Sequence, residues 1–362
     1  MSGKISDNLG TSSGLVKSAT DAPDSGSSNP TVSTNPSAAG DRFINTTSGE
    51  LFVCIDATAG SNKWRGQLDT EIDPPTAEQG GRGLWAGGDS SDVIDYVAID
   101  TTGNASDFGN LTASKGGSAA TSNGSRGVFA GGGTLSEIDY ITIATTGNAA
   151  AFGHLSADKK NITGCSDGTK GVFWGGIIAS TNTDAIEYVN IASTGNVTDF
   201  GNLTTATKMM GATSNGPRGV CGGGRTSGGV DVIEYITIAS TGDATDFGDL
   251  VAATYMYTGA VSDLTKGIWP GGHSGGAYSD KMDVVNIAST GDATDFGNLT
   301  DARGYAAGCS NGTRACFGGG YDPGGGGAFN IIDYVTVASL GNASDFGDLT
   351  AARYVITSTA GD

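Results

Sequence analysis

One unit of 44 to 50 residues recurs six times between residues 82 and 362, and nothing else in the chain constrains its fold as tightly. Each copy reads basic residue, small or apolar run, Gly-Gly, variable loop, acidic residue, Tyr, alternating apolar residues, Thr-Gly, Asp-Phe-Gly, Leu. RGVFAGGG…EIDYITIATTGNAAAFGHL and RACFGGG…IIDYVTVASLGNASDFGDL show the pattern well. A repeat of this length built from short strands predicts an all-β fold, a β-propeller with one four-stranded blade per repeat.

The spacings predict the blade. Tyr96 to Phe108, Tyr140 to Phe152, Tyr188 to Phe200, Tyr235 to Phe247 and Tyr334 to Phe346 are all 12 residues apart, and Val284 stands 12 before Phe296. A fixed span around Thr-Gly reads as strand, tight turn, strand. Ser-Asn-Gly or Ser-Asp-Gly at 122–124, 166–168, 214–216 and 310–312 marks a second hairpin, read as a two-residue Asn-Gly turn. The strands are labelled A (up to the Asn-Gly turn), B (ending in Gly-Gly), C (carrying Tyr) and D (starting at Asp-Phe-Gly). From the second Gly to Tyr is 8 residues in the first two copies, 12 in the next three and 15 in the last, so length variation sits in the B–C loop.

A strand ending in a Gly doublet, a next strand with Tyr and a following strand with an aromatic residue resemble the kelch repeat, over roughly residues 82 to 362. Phe stands where that family usually has Trp in strand D. The last segment, TAARYVITSTAGD (350–362), is a strand A without a B, and the first unit, RGLWAGG, is a B without an A. Pairing the two predicts a six-bladed ring without exposed end strands. The break then falls at an A–B turn, so residues 1–81 are expected to leave on the face of the A–B and C–D turns. The B–C and D–A loops lie opposite.

Residues 1–40 are rich in Ser, Thr, Asn, Pro, Gly and Asp and read as an extended arm. Within 41–70, Phe43 and then Leu51, Val53 and Ile55 alternate around Thr-Thr-Ser-Gly, predicting a small β-hairpin that is marginal alone and packs on sister chains, the propeller or a partner. Residues 71–81, with Pro74-Pro75, read as a stiff linker. ISDNLGTSSGLVKS and GDRFINTTSGELFVC…NKW resemble the starts of bacteriophage virion structural proteins that precede fibre or decoration modules, particularly in phages of marine bacteria. That resemblance implies a virion location, an N-terminal anchor to other virion proteins through residues 1–70, and a displayed propeller. Phe43, Leu51, Phe52, Val53 and Trp64 are the candidate attachment residues, and a homo-oligomer on the particle is expected.

Composition excludes other classes. A net charge of −19 without a basic patch opposes binding to nucleic acid or anionic membranes. No apolar run approaches a membrane span, and the start lacks the apolar stretch of a secretory signal. The five cysteines, Cys54, Cys165, Cys221, Cys309 and Cys316, contain no Cys-x-x-Cys. In a two-residue Asn-Gly hairpin Cys309 faces Arg314, leaving Cys316 too distant for a disulfide. All five are therefore expected to be buried thiols.

No catalytic, metal or cofactor signature stands out. Asp-Phe-Gly matches a kinase magnesium triplet but recurs five times, at Asp107, Asp199, Asp246, Asp295 and Asp345, without a kinase context. It reads as structural, Asp bonding turn amides and Phe packing between blades. The Gly-Gly-Gly runs lack the helix and lysine of a phosphate cradle. His154 falls at a polar turn position. Arg82, Arg126, Lys170, Arg218, Lys266 and Arg314 start strand B once per repeat and are expected to pair with the Asp-Phe-Gly aspartates. Asp95, Asp139, Glu187, Glu234, Asp283 and Asp333 form an acidic ring at the start of strand C, with no calcium-loop signature.

The candidate binding residues lie on the variable loops 177–185, 225–232, 273–282 and 321–330: Arg225, His273, Tyr278, Tyr321 and Phe329. Loop aromatics suit stacking on sugars or capping a peptide. Unconstrained variation of Gly-rich loops is a reading of equal weight. The sequence reading is a non-enzymatic phage structural protein, tail-fibre-like, whose B–C loops bind a host-surface glycan or protein. A head decoration or cement protein is the alternative. A glycan-active enzyme is disfavoured, because no carboxylate or histidine breaks the repeat in a site-like way.

Overall fold

The computed structural model describes residues 23–30, 34, 36–57, 62–67, 71–72, 78–255 and 259–362. Regular structure among them is entirely β, and no helix is long and apolar enough to cross a membrane. The chain divides into two compact units, Met1–Pro74 and Pro75–Asp362.

In the first unit the expected hairpin forms the middle of a five-stranded sheet. Asp24–Gly26, Arg42–Asn45, Leu51–Asp56, Lys63–Gly66 and Glu71–Ile72 follow one another in order, the first pair parallel. Strand alternation decides which side chains face inward. Phe43 lies opposite Phe52 and Cys54 opposite Trp64, and these four form the buried core of the sheet. The Phe43 and Trp64 rings meet edge-on at 6.1 Å. Leu51 and Val53 are half-buried, and Ile55 is 48% exposed. Of the arm, residues 1–22 lie outside the described residues, as do 73–77 of the linker.

The second unit holds six four-stranded antiparallel sheets, each built from one A, B, C and D strand. The second sheet, for example, is Ala119–Ser122, Arg126–Ala130, Glu137–Thr142 and Ala150–His154. The first combines the C-terminal strand Thr357–Gly361 with Arg82–Ala86, Val93–Ala98 and Ser106–Asn110. There Thr357 pairs with Ala86 and Gly361 with Arg82, the pairing expected of the truncated end units. No sheet closes on itself. Each C–D pair shifts register once, as between Ile138 and Asp139, and the Tyr and Phe 12 apart then meet edge-on, Tyr96 and Phe108 at 5.9 Å.

Six apolar clusters lie between successive sheets. Leu84, Phe108, Phe129 and Ile141 join the first to the second, and Trp85, Val97, Cys316 and Phe346 join the sixth to the first. The basic residues of strand B bind across the same boundaries. Arg82 donates to Ile143 O (2.6 Å), Arg126 to Ile191 O, Lys170 to Ile238 O, Arg218 to Ile287 O, Lys266 to Val337 O, and Arg314 to Ile99 O (2.8 Å). Five of the six also sit over a strand-C Tyr ring, Arg218 over Tyr235 at 4.4 Å. The expected ion pairs with the Asp-Phe-Gly aspartates are absent among the described residues. Those aspartates lie exposed, and the cation gains more from carbonyls at the sheet boundary than from a solvated carboxylate.

Two turn expectations are corrected. The Thr-Gly segment is no tight hairpin: it runs along strand D of the preceding sheet, Gly147 N donating to Phe108 O and Ala149 N to Asn110 O (both 2.8 Å). It thereby covers an open sheet edge. The glycine of Asp-Phe-Gly is required there, since a Cβ on Gly109 would lie 2.3 Å from Gly147 O. The A–B turn spans four residues, with Ser122 paired to Gly127 and the Asn123 side chain capping Ser125 N and Arg126 N. Its extra length sets Cys309 directly opposite Cys316, where the two remain free, buried thiols.

Candidate functional site

The Gly doublets fix the geometry of the face carrying the B–C loops. Gly87 and Gly88 adopt φ of 69° and 123°, and a Cβ on Gly87 would lie 2.4 Å from Lys115 O. The chain therefore leaves strand B hard against the D–A connection. That connection turns through a left-handed residue in the described copies: Gly117, Asn161, Met209, Tyr305 and Val355, with φ between 56° and 74°. Their backbones are linked, Gly117 N donating to Val355 O (2.9 Å), Asn161 N to Gly117 O (2.7 Å) and Met209 N to Asn161 O (3.0 Å). Four non-glycine residues held in this region form a constrained rim.

Aromatic side chains from two B–C loops and three D–A connections, with Arg225 from a third B–C loop, meet on this rim. Arg225 sits 5.0 Å over Tyr255, whose ring is 5.0 Å from His273. His273 is 5.1 Å from Tyr278, and Tyr278 is 6.2 Å from Tyr321. Tyr321 lies 4.8 Å from Tyr354 at a 36° tilt, and Tyr354 is 6.2 Å from Tyr305. The line ends where the Tyr305 hydroxyl meets Met209 Sδ at 3.9 Å. All these side chains are half-buried, so each packs on a neighbour and keeps surface open to solvent.

The loop strands hold the rings in place. Tyr255 pairs with His273, and His273 with Tyr278, in a small three-stranded sheet. Tyr321 opposes Ala328 and bridges back to Gly304. Tyr354 donates its hydroxyl to Asp89 at 3.0 Å, which raises its pKa, with burial adding to the effect. Burial pushes Tyr278 up, and pushes Tyr305 up to about 12. The three remain neutral phenols able to donate and accept. His273 Nδ1 is shut from solvent without a hydrogen-bond partner. Flat apolar faces with few fixed polar groups are suited to stacking on and hydrogen-bonding a polyhydroxylated ligand.

Four of the five loop residues singled out in the sequence, Arg225, His273, Tyr278 and Tyr321, belong to this line. Phe329 does not: it is half-buried at the end of its loop, where its backbone ties Gly320 to Arg353. Tyr255, Tyr305 and Tyr354 were not legible as site residues. The signal for them was an aromatic residue five or six places after the D-strand leucine, where other copies carry Gly, Lys, Asn or Met. His154 is not at a turn: it is the exposed last residue of its strand D, opposite Glu137, and its backbone N–H donates to Asn196. In the first unit Phe43, Phe52 and Trp64 are core, so any contact surface there rests on Leu51, Val53 and Ile55.

A second feature lies among the A strands. A cavity of about 30 Å³ is lined by Glu78, Thr213, Ser262, Ser310 and Thr359 among others. Gln79 beside it pairs with Ser310 and donates to Ser262 O (3.2 Å). Glu78 is half-exposed as a residue, but its Oε1 is buried without a partner, and burial pushes the carboxyl up to about 8.

No family model matches the chain, and no curated protein matches it.

Proposed function

We propose that the second unit is a six-bladed, kelch-like β-propeller whose ring is completed by the C-terminal strand, and that it is a non-enzymatic binding module. The order of the cross-sheet bonds supports the ring. Strand-B cations reach from each sheet to the next and from the sixth to the first, and the apolar clusters follow the same cycle. The Ser122 hydroxyl donates to Ala360 O (2.6 Å) and Ser166 to Ser122 O (2.6 Å), which carries the cycle along the inner strands.

The observation that carries the function is the row of six aromatic rings, Tyr255 to Tyr305, on the face of the variable loops. The ligand it suits is a saccharide of a host surface. The strongly acidic chain disfavours an anionic polymer. The resemblance of the first residues to phage virion proteins gives the setting: a tail-fibre-like protein held on the particle by its N-terminal region, displaying the propeller. Two measurements test this. Labelling of virions locates the chain on the tail or elsewhere. A glycan array probed with the full chain reads binding, which is expected for neutral glycans and lost in the Tyr321→Ala/Tyr354→Ala variant. No binding to any glycan or host cell overturns the adhesin reading.

A further inference from the structure

The acidic ring of strand C is neutralised from within the fold, but only in four sheets. The residue four places after the D-strand leucine supplies the cation. Lys115 pairs with Asp139 (3.3 Å), Lys159 with Glu187 (2.7 Å), Arg303 with Asp333 (2.9 Å) and Arg353 with Asp95 (2.6 Å), all buried. Each of three of these cations also binds carbonyls around the Gly doublet: Lys115 Nζ binds Glu137 O (2.7 Å), Arg303 Nε binds Gly319 O (2.9 Å), and Arg353 binds Gly87 O (2.9 Å) and Val93 O (2.7 Å).

In the fourth and fifth sheets that position is Thr207 and Thr254, while the carboxylates remain. Glu234 and Asp283 are only 6% and 7% exposed. Each accepts one backbone N–H, Thr204 N to Glu234 Oε1 (2.8 Å) and Val251 N to Asp283 Oδ2 (3.0 Å). Among the described residues no cationic side chain reaches either. Burial pushes Asp283 up to about 6, as expected of a carboxyl without a counter-charge. Beside Glu234 the shortened side chain leaves a cavity of about 70 Å³, lined by Thr207, Gly223, Thr226, Val232 and Glu234 among others. Gly223 and Val232 are the counterparts of Gly87 and Val93, whose carbonyls hold the Arg353 guanidinium. The room exceeds the ~30 Å³ share of one water.

We propose that this cavity binds a monovalent cation of ammonium size, such as potassium or ammonium itself, in the place taken by lysine in the second and third sheets. The charge argument selects a monovalent ion: one carboxylate remains and one ammonium has been removed. The oxygens available to it are the Glu234 carboxylate, the Thr207 hydroxyl and nearby backbone carbonyls, beside the side chains of Met210, Cys221 and Val230. A calcium site would call for more carboxylates than the single one offered here.

The test is the melting temperature of the full chain in potassium chloride against choline chloride at equal ionic strength, choline being too large for the cavity. Potassium is expected to raise it by roughly 2 °C or more, with saturation. Thr207→Lys is expected to raise it in choline chloride and to remove the potassium increment. Equal melting in the two salts, an increment that survives in the Thr207→Lys variant, or stabilisation by calcium but not potassium each overturns the assignment. Crystals soaked in rubidium give a readout that does not depend on a variant folding: an anomalous peak beside Glu234 is expected, and a featureless cavity contradicts the site.

Discussion

The Arg353 guanidinium lies 2.6 Å from the Asp95 carboxylate across 258 residues of sequence, both side chains buried. Thr350 adds its backbone N–H and hydroxyl to the same carboxylate at 3.0 and 2.7 Å. The two ends of the repeat region are thus joined by buried polar bonds as well as by the strand pair of Thr357–Gly361 with Arg82–Ala86. Arg353→Met leaves Asp95 charged and unpaired, which is expected to cost about 3–5 kcal/mol. Urea unfolding of the full chain reads this, and adding Asp95→Asn to the variant is expected to recover part of the loss.

The Asp-Phe-Gly triplet separates into a dispensable and an indispensable residue. Asp295 is exposed, and Asp295→Ala is expected to change stability by no more than about 0.5 kcal/mol. Gly297 has φ of 148°, and a Cβ there would lie 2.2 Å from Gly341 O of the next connection. Gly297→Ala is expected to cost at least ~2 kcal/mol by strain and backbone displacement. Thermal unfolding of the two variants decides; equal losses contradict the structural account of the triplet.

Glu78 makes stability depend on pH in a stated direction. Its carboxyl holds a proton up to about 8 in the folded chain, against the usual 4.5 when unfolded. Between these values the folded state binds the extra proton, so this residue's contribution to stability falls as pH rises from about 4.5 to about 8. Glu78→Gln is expected to remove that slope and to be the more stable protein at pH 8.5, by on the order of 1–3 kcal/mol. Melting curves of both proteins between pH 5 and 9, as roughly spaced points across the titration, check the sign. A parallel pair of curves contradicts the burial of this carboxyl.

The period of the repeat made the sheets legible, because Tyr and Phe 12 apart sit on facing strands and must share a face. The length variation of the B–C loops likewise pointed to the face where His273, Tyr278 and Tyr321 meet. What spacing could not give was partnership across sheets. The partners of the acidic ring are not visible in the repeat because its cations, Lys115, Lys159, Arg303 and Arg353, stand more than twenty residues away on D–A connections. The strand-B cations looked like ion-pair partners because charge sign was visible in the sequence and the carbonyls they bind were not. Tyr255, Tyr305 and Tyr354 were missed for the same reason. Their role comes from three-dimensional neighbours on loops of other repeats, as with Tyr354 beside Tyr321.

The aromatic row is the central claim, and ligand-observed NMR of the full chain with a glycan selected on the array tests it most directly. Saturation transfer to the sugar ring protons is expected with the native protein and is expected to vanish in Tyr321→Ala/Tyr354→Ala, which keeps its fold by circular dichroism. Removing two stacking faces costs about 1–3 kcal/mol, or roughly five- to 150-fold in affinity. Undiminished transfer in the double variant would contradict binding at this face.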